Sequence, residues 1–386
     1  MNIAQMSCSQ LPSAASLATI ARVDPQLVLC FGPARYLTDP RLLGAMREAM
    51  PGAQCVGCSE AGEIGADGVT EGQLVISALH FDHPGFGVAT TRIDGAKDSF
   101  DAGLRLARAL CAKEHAAGLH AVLVFAPGVD VNGSGLIGGL QAHLPAGVSI
   151  SGGLAGDEGA FKETYTLSDQ GAFHDQVVAV GFFSPQIQMS YGSFHGWLPF
   201  GPARQVTRSN SHVLYELDGA PALEVYKRYL GDYAKDLPAS GLFFPFELLD
   251  EDRVNRGLIR TVLGVDEAAG SLTLAGDVGE GDYMRLMHAS TDALAEGALA
   301  AARQLGVSPE AAAPSLALLV SCVGRKLVMG ARVDDEVDAV IEVLGQHTRV
   351  AGFYSYGELC PQGSGQACQL HNQTMTITHI QELPAS

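Results

Sequence analysis

A seven-residue pattern occurs near both ends of this chain and limits the fold more than any other feature of the sequence. Residues 57–63 (GCSEAGE) and 352–358 (GFYSYGE) both read G-x-x-x-x-G-E, and each follows an apolar run that predicts a buried strand. The glycines allow a positive φ or a close backbone approach, which would leave the glutamate at a strand end. The echo therefore predicts two related halves. A strand bulge with a structural glutamate is the alternative interpretation of each copy.

Length and composition are those of a globular protein with more than one core. The chain has 386 residues, more than one hydrophobic core usually organises. Hydrophobic residues make up 47% and charged residues 17%, which excludes an intrinsically disordered chain. The formal net charge is −18, and no run of Lys and Arg alternates with aromatic residues. We therefore expect neither nucleic acid nor a membrane surface as a partner.

The N-terminal segment lacks the charged start and continuous apolar block of a secretory signal. We interpret residues 1–25 as a flexible N-terminal arm outside the fold. No stretch approaches the roughly 20 apolar residues that a membrane-spanning helix needs. The eight cysteines follow no disulfide framework, so we expect reduced thiols and a cytoplasmic location.

Short apolar runs alternate with amphipathic stretches, which predicts a mixed α/β fold. Strands are expected at about residues 26–32, 54–58, 73–81, 86–93, 119–126, 161–167, 176–183, 187–195, 258–263, 271–275, 283–288, 316–322, 350–356 and 369–380. Helices are expected at about residues 40–50, 99–115, 221–230, 290–305 and 334–344. Alternation of strand and helix favours parallel pairing, whereas turns such as His83-Pro84-Gly85 favour hairpins. We predict mixed β-sheets covered by helices, in two related halves with a ligand pocket between strand ends.

Seven sequence blocks connect the chain to a known family. In chain order they are GCSEAGEI, SGGLAGD, GWLPFG, ELDGAPALEVY, SCVGR, GFYSYGEL and HNQTMTI. These blocks resemble, in the same order, the motifs of FIST proteins, in which a FIST N domain precedes a FIST C domain. The resemblance implies a FIST N domain at residues 26–219 and a FIST C domain at residues 220–382.

The same resemblance implies a function. FIST domains are regarded as sensory modules for small ligands, and one branch resembles nitric-oxide-sensing haem proteins that regulate a partner histidine kinase. We therefore expect a non-enzymatic intracellular sensor that binds haem b, responds to nitric oxide and modulates a histidine kinase. Assembly as a homo-oligomer stays open. The alternative is a FIST sensor of a small metabolite, such as an amino acid, without haem.

The signatures of common enzymes are missing from the sequence. It contains no G-x-S-x-G elbow, no H-E-x-x-H pair and no kinase signature set, so no activated nucleophile can be named. The glycine-rich segment 151–157 could cradle an anion, but it lacks the Lys-Ser/Thr ending of a P-loop. Asp157 at its end is either a ligand-lining residue or a turn residue.

His195 is our candidate for the axial haem ligand. It lies at a predicted strand end between Phe194 and Trp197, whose rings could wall a flat macrocycle. A histidine beside aromatic residues is also often a packed core residue. The alternative donors are His371, for which a structural role is the stronger interpretation, and Cys360, whose Cys-Pro pair resembles thiolate haem sites.

Arg325 is the candidate anchor for an acidic group of the ligand. It follows a predicted buried strand and could meet a haem propionate or an amino-acid carboxylate through two parallel hydrogen bonds. It could equally pair with Glu358. Because α/β folds usually bind ligands at strand ends, we expect Arg325, Tyr356, Glu358 and Glu63 to contribute to one pocket.

Overall fold

One order of strands and helices recurs along the chain. A computed structural model describes residues 1–310, 313–363 and 365–384. Within these ranges, three segments share the order strand, helix, strand, helix, strand, hairpin, strand, and we call them units 1, 2 and 3. Unit 1 contains β1 (Asn2–Cys8), α1 (Ala14–Ala21), β2 (Leu27–Phe31), the short α2 (Ala34–Leu37), α3 (Pro40–Ala49), β3 (Gln54–Cys58), β4 (Glu63–Gly65), β5 (Gly68–Thr70) and β6 (Leu74–His80).

Unit 2 repeats this order without a counterpart of α2. It contains β7 (Phe86–Arg92), α4 (Ser99–Cys111), β8 (Ala121–Ala126), α5 (Gly133–Gln141), β9 (Ser149–Leu154), β10 (Thr166–Ser168), β11 (Gly171–Phe173) and β12 (Gln176–Phe182).

Unit 3 is interrupted by an insertion after its first strand. It begins with β13 (Ile187–Phe194). The insertion contains β14 (Leu198–Asn210), β15 (Val213–Leu217), β16 (Ala220–Pro221), α6 (Ala222–Leu230), β17 (Phe246–Leu249), β18 (Asn255–Arg260), β19 (Val262–Asp266), β20 (Ser271–Leu274) and β21 (Tyr283–His288). The unit then continues with α7 (Thr291–Gln304), β22 (Ser315–Cys322), α8 (Val323–Met329), α9 (Asp334–Leu344), β23 (Thr348–Ser355), β24 (Gly357–Pro361), β25 (Cys368–His371) and β26 (Met375–Glu382).

Each unit forms the body of one sheet, and the hairpin at the sheet's edge comes from another unit. In the described part of the chain, sheet A has the order β1-β6-β2-β3-β10-β11, sheet B the order β7-β12-β8-β9-β24-β25, and sheet C the order β13-β26-β22-β23-β4-β5. The two central strands of each sheet, β2 with β3, β8 with β9 and β22 with β23, are parallel. The neighbouring pairs are antiparallel, so the predicted α/β fold with mixed sheets is confirmed. The three hairpins are exchanged in a cycle among the units.

The three sheets enclose one common core. Phe31, Phe125 and Phe353, one from each sheet, have ring centroids 4.9 to 6.1 Å apart and are fully buried. The outer faces are covered by helix pairs, α1 with α3 on sheet A, α4 with α5 on sheet B, and α7 with α9 on sheet C. Alternate residues of each strand therefore serve the common core and a helical layer, which explains why the central strands are apolar throughout.

The glycines that open the repeated pattern are required by the packing of the parallel strands. A Cβ atom at Gly57 would lie 1.8 Å from the carbonyl oxygen of Cys30, and one at Gly352 would lie 1.8 Å from that of Leu319. Gly152 holds the equivalent position in unit 2. The echo therefore marks equivalent places in units 1 and 3.

The insertion has a sheet of its own. Its strands follow the order β18-β17-β21-β14-β15-β20-β19, with β16 beside β15, and α6 packs on this sheet, which we call sheet D. The predicted boundary between residues 219 and 220 lies between β15 and β16, inside the insertion.

Two predictions about chain segments are wrong. Residues 1–25 are not a loose arm, because β1 pairs with β6 from Asn2↔His80 to Cys8↔Leu74 and α1 packs on the same sheet. β1 is a half-buried edge strand and therefore lacks the continuous apolar run of a central strand. The turn at 83–85 does not close a hairpin: β6 pairs with β1 and β2, whereas β7 pairs with β12, so this turn carries the chain from sheet A to sheet B.

Candidate functional site

A large cavity lies between the carboxyl ends of strands in sheet B and the insertion. Its volume is about 1180 Å³, and we call it the insertion cleft. One wall is formed by the segment 128–135 after β8 and by Leu154 at the end of β9. The other is formed by parts of sheet D at 262–263 and 273–277 and by the segment 236–242. Its position matches the general rule that α/β folds bind ligands beyond the carboxyl ends of parallel strands.

Large apolar side chains line the cleft while remaining accessible. Phe100 is 47%, Phe161 41%, Leu263 45% and Leu327 48% exposed, and all four belong to its walls. Leaving four large apolar groups uncovered around one cavity is unfavourable in water. The cleft is therefore suited to a ligand with a large apolar surface.

The start of α5 supplies polar groups to the cleft. The Asn132 side chain caps the helix by accepting a hydrogen bond from the Gly135 N–H at 2.9 Å, and the Asn132 N–H donates to Ser99 Oγ at 2.9 Å. All three residues belong to the cleft wall. This arrangement fixes the loop after β8 rigidly against α4.

Tyr356 and Asp157 meet beside the cleft. The Tyr356 hydroxyl donates to the Asp157 carboxylate, which also accepts the backbone N–H groups of Phe161 at 2.7 Å and Lys162 at 2.7 Å. The Phe161 ring stacks on Tyr356 with 4.1 Å between centroids, and burial raises the pKa of the Tyr356 hydroxyl. Asp157 is thus a turn residue that holds Phe161 over Tyr356, and both aromatic rings line the cleft.

Arg325 is fully occupied inside the protein and does not reach the cleft. Its Nε and Nη2 donate to Glu336 Oε2 at 2.9 and 2.7 Å, and Nη2 also donates to the Leu294 carbonyl at 2.8 Å. Its Nη1 donates to the carbonyls of His195 and Gln373. These contacts use all five N–H donors of the guanidinium. The predicted roles of Arg325 as a ligand anchor and as a partner of Glu358 are therefore wrong.

The glutamates of the repeated pattern are structural groups. Glu358 is fully buried and accepts from Ser355 Oγ at 2.7 Å and from the Thr374 N–H at 3.2 Å. Burial raises its pKa to about 8. Glu63 accepts from Thr70 Oγ1 at 3.1 Å and from the Gln73 N–H at 2.8 Å, and burial raises its pKa also. Neither belongs to the cleft wall.

The three exchanged hairpins occupy equivalent positions, but only two of them carry the glutamate. Glu63 in β4 pairs with Phe353 of sheet C, and Glu358 in β24 pairs with Gly153 of sheet B. The corresponding position of the third hairpin is Thr166, which pairs with Cys58 of sheet A. Unit 2 therefore has the backbone arrangement without the glutamate.

His195 and Trp197 lie away from the cleft. His195 is 9% exposed, its Nδ1 accepts the Trp197 N–H at 2.9 Å, and burial lowers its pKa to about 4. The Trp197 indole donates to the Gln373 carbonyl at 3.0 Å and packs among Ile259 and Leu294. Both side chains serve to pack the start of the insertion against unit 3.

His371 and Cys360 lie next to each other behind the cleft. His371 Nε2 is 2.9 Å from the Cys360 carbonyl oxygen, and the residues on either side of His371, Leu370 and Asn372, line the cleft. Burial lowers the pKa of His371 to about 4 and raises the pKa of the Cys360 thiol. The thiol is therefore held protonated, a poor state for binding iron.

Sequence reasoning missed most residues of the cleft. His212 lies in the turn between β14 and β15 and is half-buried in the cleft wall. The Asn132-Gly133 step in the loop after β8 is a usable signal, because an N-cap residue that follows an apolar strand marks the start of the next helix. Nothing in the local sequence indicated that the insertion would face it.

Comparisons with known proteins identify the family to which this chain belongs. Over 88 residues the chain is 31% identical to an uncharacterized protein of Methanocaldococcus jannaschii, a match that covers 23% of this chain and 17% of that protein. The crystal structure of a cyanuric acid hydrolase from A. caulinodans aligns over 99% of both chains with a TM-score of 0.37 and 10% sequence identity. No helix in the described ranges has the length and apolar character needed to cross a membrane. The FIST N domain model matches residues 26–220 and the FIST C domain model residues 222–361, so the chain belongs to the FIST family.

Proposed function

We propose that this chain is a non-enzymatic intracellular sensor whose ligand occupies the insertion cleft. FIST domains are signal-transduction sensor domains that bind small ligands. The observation that carries the proposal is the cleft itself, which joins strand ends of the three-sheet body to the insertion. A ligand that contacts both parts can change how they sit together and thereby alter the surface offered to a partner.

The size and character of the cleft favour haem b as the ligand. Pockets for drug-sized molecules measure roughly 300 to 1,000 Å³. At about 1180 Å³ with four exposed apolar side chains, the cleft exceeds the needs of an amino acid. The alternative of an amino-acid sensor also loses support because Arg325, Glu63 and Glu358 all have internal partners.

The residues of the cleft fit a haem group with an axial donor other than His195. His212 contributes an imidazole to the wall, and Phe100, Phe161 and Leu263 offer apolar surface for a flat ring. Lys97 on the same wall offers a cation for a propionate. An iron held by one imidazole supplies an open coordination position at which nitric oxide can bind. In this proposal His212 holds the group and the insertion encloses it.

The signalling partner we propose is a histidine kinase, which the acidic surface of the protein would contact differently with and without nitric oxide. Autophosphorylation of such a kinase, measured with the sensor before and after nitric oxide is added, tests this part of the proposal.

Absorption spectroscopy tests the ligand. Protein expressed with a haem precursor should show a Soret band at about one haem per chain, and nitric oxide added to the reduced protein should shift that band. A protein that stays colourless even after reconstitution with haem would contradict the proposal. The Leu327→Gln variant, which makes one apolar wall polar, should bind haem more weakly if the cleft is the site.

A further inference from the structure

Arg260 at the end of β18 is a buried cation without an acidic partner. It is 5% exposed, and no carboxylate of residues 1–310, 313–363 or 365–384 comes within 4 Å of its guanidinium. Its Nε donates to the Asp277 carbonyl at 3.0 Å, and its Nη1 donates to the carbonyls of Ile259 at 3.0 Å and Leu370 at 3.2 Å. Its Nη2 group makes no hydrogen bond in those ranges. A buried charge is normally paired, so this one calls for an explanation.

The guanidinium lies directly behind the wall of the insertion cleft. Two of its acceptors, Asp277 and Leu370, line the cleft, as does Gly276. A Cβ atom at Gly276 would lie 3.0 Å from Arg260 Nε, so the glycine lets the wall approach the guanidinium closely. The positive charge therefore lies against three residues of the cleft wall.

Three further polar atoms that lack a hydrogen-bond partner in the described ranges belong to Asn372 of the cleft wall or to neighbours of Arg260 and Leu370 in the chain. Among the described residues, Thr261 Oγ1, His371 Nδ1 and Asn372 Oδ1 are buried without a hydrogen-bond partner. Thr261 follows Arg260 in the chain, and Asn372 lines the cleft. Native proteins leave few such groups, so each of these three calls for an explanation.

Two carboxylates stand near Arg260 without touching it: the charges of Asp277 and Asp282 raise the pKa of its guanidinium, but neither carboxylate of these described residues comes within 4 Å. Ser211 Oγ donates to the Asp277 carboxylate at 2.6 Å, and Asp130 accepts the Ala96 N–H at 3.3 Å. Burial lowers the pKa of Arg260 to about 10, which leaves the guanidinium charged at neutral pH. The guanidinium is thus charged, buried and without direct contact to a carboxylate of the described residues, a state that favours an anion supplied from outside the chain.

We propose that Arg260 neutralises an acidic group of the ligand, so that the insertion cleft is selective for apolar molecules that carry a carboxylate or a similar anion. This inference rests on the proposed function in one respect, namely that the cleft is the ligand site. It does not require that the ligand be haem. The apolar walls at Phe100, Leu263 and Leu327 would hold the body of the molecule, and the wall at Arg260 its charged end.

Two fluorescent probes of similar shape test the charge preference without haem. 8-Anilinonaphthalene-1-sulfonate is anionic, and N-phenyl-1-naphthylamine is its neutral counterpart. We expect the natural protein to bind the anion at least tenfold more tightly, and Arg260→Gln to reduce this ratio to within about twofold of one. Arg260→Lys, which keeps the charge, should retain most of the preference. Leu327→Gln should weaken both probes equally.

Arg208→Gln is the matched control, because Arg208 lies in the same sheet D but is 54% exposed and paired with Glu216. It should leave both affinities unchanged. Equal affinities in the natural protein, or a preference that persists in Arg260→Gln with native circular dichroism, would overturn the inference. Should Arg260→Gln not fold, Lys97→Gln decides: loss of the preference in that variant would assign the anion to Lys97 and overturn the inference, whereas a preference that persists supports Arg260.

Haem and its dimethyl ester, in which both propionates are neutral, separate this inference from the proposed function. Tighter binding of haem than of the ester, lost in Arg260→Gln, supports both. Failure of haem to bind while the fluorescent anion is still preferred contradicts haem as the ligand and leaves Arg260 as an anion site. Equal affinity for haem and for its ester contradicts only the role of Arg260 and leaves the proposed function standing.

Discussion

Arg325 and Glu336 form an ion pair at the centre of unit 3, with 2.7 Å between Nη2 and Oε2 and both side chains fully buried. Glu336 also accepts hydrogen bonds from Ser321 Oγ at 2.9 Å and Tyr354 at 2.6 Å. Because Arg325 also donates to the His195 carbonyl, the pair ties β22, β23 and α9 to the start of the insertion. The pair therefore fixes the start of the insertion to unit 3.

Breaking this pair should destabilise the protein strongly. Arg325→Ala leaves the Glu336 carboxylate buried and uncompensated, so we expect a loss of about 3–5 kcal/mol in the free energy of unfolding. Arg332→Ala is the control, since Arg332 is 55% exposed in its pairs with Asp292 and Asp335 and should cost no more than about 1 kcal/mol. Urea denaturation measures both. Similar losses for the two variants would show that the buried pair is not special.

The buried Glu358 should make stability depend on pH. Its pKa in the folded protein is raised to about 8 from the ordinary 4.5, so between these values the folded state holds a proton that the unfolded state has released. The contribution is fully present below about pH 4.5 and is lost as pH rises towards 8, with a slope of roughly 1.4 kcal/mol per pH unit. Glu358→Gln should flatten the stability curve between pH 5 and 8, relative to the exposed control Glu342→Gln. An unchanged slope in Glu358→Gln would mean that other groups cause the dependence.

The repeated glycine of the parallel strands should not tolerate a side chain. Gly352→Ala places a Cβ atom 1.8 Å from the Leu319 carbonyl oxygen, so β22 and β23 must separate. We expect a loss of several kcal/mol and a clearly lower Tm. At Gly44 in α3 a Cβ atom would have no neighbour within 4 Å, and Gly44→Ala should instead stabilise the protein by up to about 1 kcal/mol. Calorimetry of both variants checks the contrast, which fails if Gly352→Ala melts at the natural temperature.

The local elements of this fold could be predicted from sequence because their signals are local. Helix 334–344 and strand 283–288 match their predicted bounds, since each has a strong apolar periodicity. The cyclic exchange of hairpins had no such signal. Glu63 pairs with Phe353, and Glu358 with Gly153, across hundreds of residues of chain, and only the closed set of three sheets selects these partners.

In the candidate site, too, the positions with a local sequence signal are predictable and those set by long-range contacts are not. Tyr356 was placed in a pocket from its strand-end position and does line the cleft. Arg325 was misplaced because its partner Glu336 comes from a helix whose packing the sequence does not reveal. The local sequence around His212 and Arg260 is not distinctive, because the insertion meets sheet B by contacts far apart in the chain. Sequence reasoning therefore located the edge of the sheet that faces the cleft but not the residues opposite it.

His212 should be the residue on which haem retention depends. Its imidazole is in the cleft wall, whereas His195 lies in the packed junction with unit 3, 9% exposed, with Nδ1 already accepting a hydrogen bond. We therefore expect His212→Ala to lose the Soret band or shift it to that of a weakly bound haem, with circular dichroism unchanged because the side chain is half-buried at a turn. His195→Ala should keep the band and lower the Tm. His371→Ala is the second comparison, since its Nδ1 lacks a partner among the described residues and its neighbours line the cleft. A native spectrum and nitric-oxide shift in His212→Ala would exclude His212, and loss of the band in His195→Ala or His371→Ala alone would identify that residue as the axial donor.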